Sequence, residues 1–385
     1  MSCSQEHLPA ESQDPATSGV HQQRLTPLPP KIRNAPPHPA PTTSEPKELA
    51  CGYLLQQQGL LSQNASMHSR VDLPLESASS PFTYDSALTA GVSAKRLRGQ
   101  DLVHVSRGLY RPSTWNFELE GAARVLSEVS PGAWISHVTA ARLQCQLLPA
   151  WLSDSTELHV SKPKHLPQVR RKGVIAHTLI ASPDEVETVD GIRISTRSRT
   201  WLDLARRLSL AELVCLGDQL IRIPRPEFEA RSEPFDTLER LRALIGRHPN
   251  LQGVVRAREA LELMRVGADS APESMLRLAM LDANLPEPDL QIALRPNDAA
   301  SPTADLGYRH RRLAIQYDGG HHLLEAQQLS DRRRDKAFES AAWKVLVFTK
   351  DDAADGFHRA VTAIKHHLRT AWVDHPHAAG FAGSS

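Results

Sequence analysis

Four residues in the C-terminal third of the chain have the types that phosphodiester chemistry requires: Glu273, Asp305, Asp318 and His322. Hydrolysing a phosphodiester calls for hard-cation ligands, which are carboxylates, converging on one or two Mg²⁺ ions that polarise the phosphoryl oxygen and lower the pKa of the attacking water. Asp305 and Asp318, from adjacent strands, are candidate metal ligands, with Glu273 reaching across from a helix as a third. Gln316 lies two residues before Asp318, on the same face of its strand. His322 follows the Gly319-Gly320 bend and is a candidate general acid or base, the role for which an imidazole is suited near pH 7. The run Arg332, Arg333 and Arg334 offers charge to phosphates. The competing reading makes Asp305 and Asp318 turn or strand-end carboxylates, Asp331, Arg334 and Asp335 a salt-bridge pattern on a helix face, and His321 a solvated neighbour.

The elements that must hold these side chains are legible around them. The segment APESMLRLAMLDANL reads as a helix with Met275, Leu278, Leu281 and Leu285 as its buried stripe, and with Glu273 in the first turn, where the helix dipole favours a carboxylate. PDLQIALRP is a strand ending in a loop, and TADLGYRHRRLAIQYDGGHH supplies two more strands around an Arg-rich turn at Arg309 to Arg312. SDRRRDKAFESAAW is a helix, KVLVFT an apolar strand, and residues 353 to 372 a closing helix.

Upstream the texture changes. Ten of the 28 prolines fall in residues 1 to 50, and with few apolar side chains to offset ordering entropy, residues 1 to 70 read as a disordered tail. A marginal helix at Glu48 to Leu61 lacks an apolar face. From 81 to 115, Thr83 caps a short helix over Tyr84 to Ala90, Gly91 ends it, and Ser93 caps a second helix carrying Lys95, Arg96 and Arg98. LVHVSRGLYRP then forms a hairpin about Arg107-Gly108. Two readings fit: a winged-helix-like unit that places Lys95, Arg96 and Arg98 in a DNA major groove, or a small α+β docking module with solvated arginines. A first helix before Pro81 has no clear signal. Residues 118 to 225 read as a mixed α/β domain, with a helix after Ser136, two strands at TELHVSKP and GVIAHTLI, and helices spaced by Leu202, Leu204, Leu208, Leu213, Leu216 and Leu220. His137 and His177 each stand without acidic or sulfur partners at ligand spacing, as core or capping histidines do. Residues 226 to 265 are a helical connector, and the HPHAAGFAGSS end (373 to 385) a disordered tail.

Two resemblances follow from these residues. SHVTAARL (Ser136 to Leu143) and GIRISTRSRTWLDLA (Gly191 to Ala205), after a winged-helix-like start, resemble the antitoxin component of AbiE-type abortive-infection systems over 81 to 223. That resemblance implies DNA binding, and a cognate toxin or a second copy of the chain as partner. Glu273, Asp305, Asp318, Gly319, His322, Asp331, Arg334, Asp335, Trp343, Val345, Leu346 and Phe348 follow in order the pattern of the PD-(D/E)xK nuclease superfamily, in its bacterial branch related to very-short-patch-repair (Vsr) endonucleases. It implies a restriction-endonuclease-like domain over 269 to 372, with Mg²⁺ or Mn²⁺ as cofactor and Gln316 at the position of a family Glu. A neutral amide lends a carbonyl oxygen but no charge, which lowers ion affinity. Ala342 replaces the family Gly before Trp343.

The whole reads as an α/β chain, α+β overall: a C-terminal mixed sheet flanked by helices behind a winged-helix-like unit and a mixed middle domain. Its 385 residues carry 45 Lys/Arg against 44 Asp/Glu, which argues against a chain that coats nucleic acid along its whole length. The balance is uneven locally, since residues 301 to 350 hold nine Lys/Arg against six Asp/Glu. Cys3, Cys51, Cys145 and Cys215 lack CxxC spacing, so neither a disulfide framework nor a thiolate zinc site is expected. With no long apolar run and no apolar leader, a cytoplasmic protein without membrane contact is expected. The functions in view are a Mg²⁺-dependent DNA endonuclease, a non-catalytic DNA-binding regulator built on a degenerate nuclease domain, and an interaction scaffold.

Overall fold

The computed structural model describes residues 72–225, 229–298, 300–319 and 325–370. The expectations for the two tails, for the helix at Glu48 to Leu61, and for His321 and His322 lie outside these residues.

The first region opens with a helix that the sequence did not announce, α1 (Leu75–Ser79), followed by β1 (Phe82–Thr83) and α2 (Tyr84–Thr89). Thr83 caps α2 reciprocally: its Oγ1 accepts from the Ser86 N–H at 2.9 Å and Ser86 Oγ accepts from the Thr83 N–H at 3.0 Å. The hairpin forms as expected, β2 (Leu102–Ser106) returning as β3 (Leu109–Pro112) about Gly108, whose φ of 72° needs a glycine. The sheet order is β1-β3-β2. The helix expected after Ser93 is instead one 3₁₀ turn, Arg96–Arg98. Arg96 forks onto Asp101 at 3.0 and 2.6 Å and Leu97 is buried, which draws the chain straight into β2. Three residues cannot lie along a groove as a recognition helix does.

The second region contains α3 (Leu119–Glu128), β4 (Trp134–Ile135), α4 (His137–Leu143), α5 (Ala150–Ser153), β5 (Leu158–Lys162), β6 (Val174–Thr178), β7 (Val186–Val189), β8 (Ile192–Ser195), α6 (Arg197–Leu204), α7 (Leu210–Ile221), α8 (Leu238–Arg247) and α9 (Val254–Leu263). Its sheet is mixed, in the order β6-β5-β4-β8-β7, with β5–β6 and β4–β8 parallel. The leucine ladder works as its spacing predicts: Leu202, Leu204, Leu208, Leu213, Leu216 and Leu220 are all buried. They share one core with Leu241, Leu244, Ala257 and Leu261 of α8 and α9, so these two helices close over the middle domain.

The third region is α10 (Ala271–Asp282), β9 (Asp289–Ala293), β10 (Thr303–Tyr308), β11 (Leu313–Asp318), α11 (Glu325–Ser340), β12 (Lys344–Thr349), α12 (Lys350–Ala354) and α13 (His358–Thr370). The strand order is β12-β11-β10-β9, antiparallel except for β11–β12, which run parallel as a helix crossover requires. Phe338 of α11 packs with Ala304 and Ala314 on one sheet face; Leu276 and Met280 of α10 and Ile364 of α13 pack with Leu306 and Ile315 on the other. The molecule is thus α+β, with this mixed sheet flanked by helices. Two details differ from expectation. The closing helix is two, broken at Gly356 and Phe357, whose φ values of 68° and 63° turn the chain so that Phe357 reaches the core. And α10 is buried beyond a single stripe: Leu278 faces the middle core while Leu276 and Met280 face the C-terminal one, because the helix is clasped between both.

Candidate active site

The start of α10 is built to present a carboxylate. Ser270 is its N-cap, and Glu273 folds back so that Oε2 accepts from the Asp269 N–H at 3.0 Å and Oε1 from the Ser270 hydroxyl at 2.7 Å. The helix is fixed from behind by Asp218 of α7, which accepts from the Ser274 hydroxyl at 2.7 Å, the Arg277 guanidinium at 3.0 Å and the Arg265 N–H at 2.8 Å. Glu273 is only 7% exposed.

Facing it, Asp305 of β10 is half-buried, and its Oδ2 accepts from the Tyr317 N–H at 2.8 Å. Gln316, on β11 and 1% exposed, bridges outward: its Nε2 donates to Asp305 Oδ2 at 3.2 Å and its Oε1 accepts from Arg334 Nε at 3.1 Å. Arg334 of α11 is held in turn by Asp331 at 3.2 Å and Asp335 at 3.5 Å. Asp331, Arg334 and Asp335 therefore do form ion pairs on a helix, and the same arginine reaches the sheet.

The electrostatics are those of acids kept close together. Burial pushes the Glu273 carboxyl up to about 8, and the neighbouring charge of Asp305 adds to it. Asp305 is also raised, by burial first, against the opposing pull of the Tyr317 N–H, Arg334 and Arg225. Asp269 repels both. This rim was not visible in the sequence: Asp269 pairs with Arg222 and Arg225 and accepts from Gln291 Nε2 at 3.1 Å. The Asp-Ser-x-x-Glu capping spacing is the one signal that could have marked Asp269.

Of the predicted site residues, Glu273, Asp305, Gln316 and Arg334 come together. Asp318 ends β11 half-buried, two residues beyond Gln316 on the same face, where its charge acts on the Tyr317 hydroxyl. Arg332 and Arg333 are exposed on α11. Lys95 and Arg98 are exposed in the first region, on the far side of the chain order from this sheet, and Arg96 is engaged by Asp101. Among the described residues no three His, Cys, Asp or Glu side chains converge to hold a metal ion. The donors that do meet are the hard oxygens Mg²⁺ takes, and Mg²⁺ commonly rests on one or two carboxylates and water. Glu273, buried, and Asp305, half-buried, repel each other and fit that role; Gln316 adds an oxygen that now faces Arg334.

The histidines read as isolated are not. His137 and His177 stack at 3.7 Å between ring centroids, and His159 Nδ1 lies 3.0 Å from His177 Nε2. Burial first lowers all three, aided by neighbouring imidazoles and arginines at His137 and His159 and by Arg206 and Arg207 at His177; His159 and His177 fall to about 4. His159 escaped notice because only the parallel pairing of β5 with β6 sets it beside residue 177; the register itself aligns Ser161 with His177.

No protein-family model matches the chain. It is similar to the uncharacterized proteins MT2308 and Rv2248 of Mycobacterium tuberculosis strains CDC 1551 and H37Rv, 28% identical to each over 209 residues, which is 53% of this chain and 73% of each relative. Among the described residues no helix is long and apolar enough to cross a membrane.

Proposed function

We propose that this chain is a cytoplasmic DNA-associated protein whose C-terminal domain hydrolyses DNA phosphodiester bonds with a divalent cation. One juxtaposition supports it: Glu273 from α10 and Asp305 from β10 meet beside Gln316, in a mixed sheet flanked by helices, with Arg334 one bond further out. Glu273 and Asp305 would hold the ion. Bound there, Mg²⁺ or Mn²⁺ supplies Lewis-acid polarisation of a phosphoryl oxygen. The Tyr317 N–H and the Gln316 amide orient Asp305, and Arg334, braced by Asp331 and Asp335, holds the amide. Arg332 and Arg333, exposed on the same helix, face solvent where a phosphate backbone can reach them.

The test is nicking of supercoiled plasmid with Mg²⁺ or Mn²⁺, beside Asp305→Ala. Cleavage by the unaltered protein that disappears in Asp305→Ala is the expected outcome; cleavage that survives the substitution sinks the site. Gln316 favours a second reading, a DNA-binding regulator on a nuclease fold that no longer cuts, because the amide brings no charge to the ion. Cleavage gained only in Gln316→Glu would select that reading.

A further inference from the structure

Residues 162 to 172, KPKHLPQVRRK, carry five Lys/Arg and no Asp or Glu. They form the crossover that joins the parallel strands β5 and β6, so they return the chain from the end of one strand to the start of the next. Lys164, Arg170 and Lys172 are exposed. The far end of this loop is fastened to the hairpin of the first region through Arg171. Its guanidinium donates to Ser106 Oγ at 2.6 Å, to the Arg107 carbonyl at 2.8 Å and to the Val129 carbonyl at 3.2 Å. All three acceptors are neutral, so the charge of Arg171 is held in place without being cancelled. The charged neighbour that acts on it is Arg107, another cation, exposed at the hairpin tip. Two basic segments from different parts of the chain are thus pinned together against their own repulsion.

From this geometry we propose that the hairpin tip and the β5–β6 crossover form one basic strip, Arg107, Lys164, Arg170, Arg171 and Lys172, that grips the phosphate backbone of duplex DNA. Arg171 fastens the two segments, no acid pairs with these cations among the described residues, and an uncompensated row of cations is what counterion release rewards. The strip carries no Trp, Tyr or Phe between its cations, whereas proteins that hold single strands stack bases on aromatic rings. Backbone contacts of this kind position a protein on DNA without reading sequence. The strip rests on the DNA reading above and lies outside the acid pair of the C-terminal sheet.

Binding of a short labelled duplex to the full chain is measured by anisotropy in EDTA, between about 50 and 200 mM NaCl. The triple variant Arg107→Ala/Arg170→Ala/Lys172→Ala removes three exposed cations and leaves the Arg171 fastening in place. It should weaken binding by at least about tenfold and reduce the slope of log K against log salt by about 2 to 3. Unchanged affinity and slope overturn the strip. So does oligo(dT) binding as tightly as the duplex, or phosphatidylserine vesicles displacing the duplex as well as unlabelled duplex does. Because EDTA suppresses cleavage, the two readings fail separately. A protein that binds through the strip but never nicks plasmid loses the nuclease reading alone, and one that nicks while the triple variant binds like wild type loses the strip alone.

Discussion

Both the middle domain and the C-terminal sheet bury charged side chains, but they do so with opposite neighbours. In the middle domain Arg199, fully buried, donates to Glu185 at 2.6 Å and to Asp203 at 2.8 Å, and His248 Nε2 lies 2.8 Å from Glu185. Within this network each buried charge meets its opposite. At the start of α10, Glu273 feels the charge of Asp305, an acid acting on an acid; the cations Arg334 and Arg225 oppose this at Asp305, and none is paired with Glu273 among the described residues. A matched buried network ties α6 to α8 and serves the fold. A like-charge pair weakens the fold and persists where something else is gained, which is why perturbed acids mark sites. The sign of the neighbour, more than the number of charges, separates architecture from chemistry here.

The largest effect that would sharpen this contrast is Arg199→Ala. It leaves Glu185 and Asp203 buried without their cation, and should cost about 3 to 5 kcal/mol in urea denaturation. A loss below about 1 kcal/mol would erase the distinction. Next comes acid. His159 and His177 hold their protons less tightly folded, at about 4, than unfolded, near 6.5. The unfolded chain therefore binds more protons in that window, so the stability is fully present above about pH 6.5 and is lost as pH falls toward 4. Allowing for their coupling and partial hydration, the pair should account for about 3 kcal/mol, and His159→Phe should make the fall between pH 7 and 4.5 visibly shallower.

Smaller is Glu273→Gln. The amide oxygen can still accept from the Asp269 N–H, and its NH2 can donate to the Ser270 hydroxyl oxygen in place of the bond accepted there, while the repulsion with Asp305 is gone, so stability should hold within about 1 kcal/mol or rise. A loss as large as that of Arg199→Ala would make Glu273 a structural residue. Smallest is Arg332→Ala/Arg333→Ala on the exposed face of α11, expected within about 0.5 kcal/mol of the unaltered protein by thermal unfolding.

Much of the fold was legible from local chemistry. Thr83 caps a helix, Arg107-Gly108 turns a hairpin, and KVLVFT forms a strand, because capping, turn geometry and alternation involve neighbours in sequence. Legibility failed where tertiary contacts took over. Ser93 looked like a cap for a basic helix, yet Arg96 turned to Asp101 and left a single 3₁₀ turn. The stripe of α10 was read for one core and the helix serves two. At the site, Glu273, Asp305 and Gln316 could be named from their types and order, while Asp269 is marked only by its place before the Ser-x-x-Glu cap and Arg225 by no pattern at all.

By itself the sequence determined which groups are available: acids at a helix start and on a strand, an amide two residues before Asp318, arginines on the following helix, and a crossover loop without a single acid. These depend on periods of two and about 3.6 residues and on caps, which are short-range. Only the tertiary structure decided who meets whom. Glu273 is brought within reach of the charge of Asp305 by α10 packing on the sheet that carries β10, His159 is set beside His177 by the pairing of β5 with β6, and Arg171 clamps a loop onto a hairpin tip more than 60 residues away in the chain. Coulomb energy depends on distance in space, and the sequence contains that distance only after the core has closed.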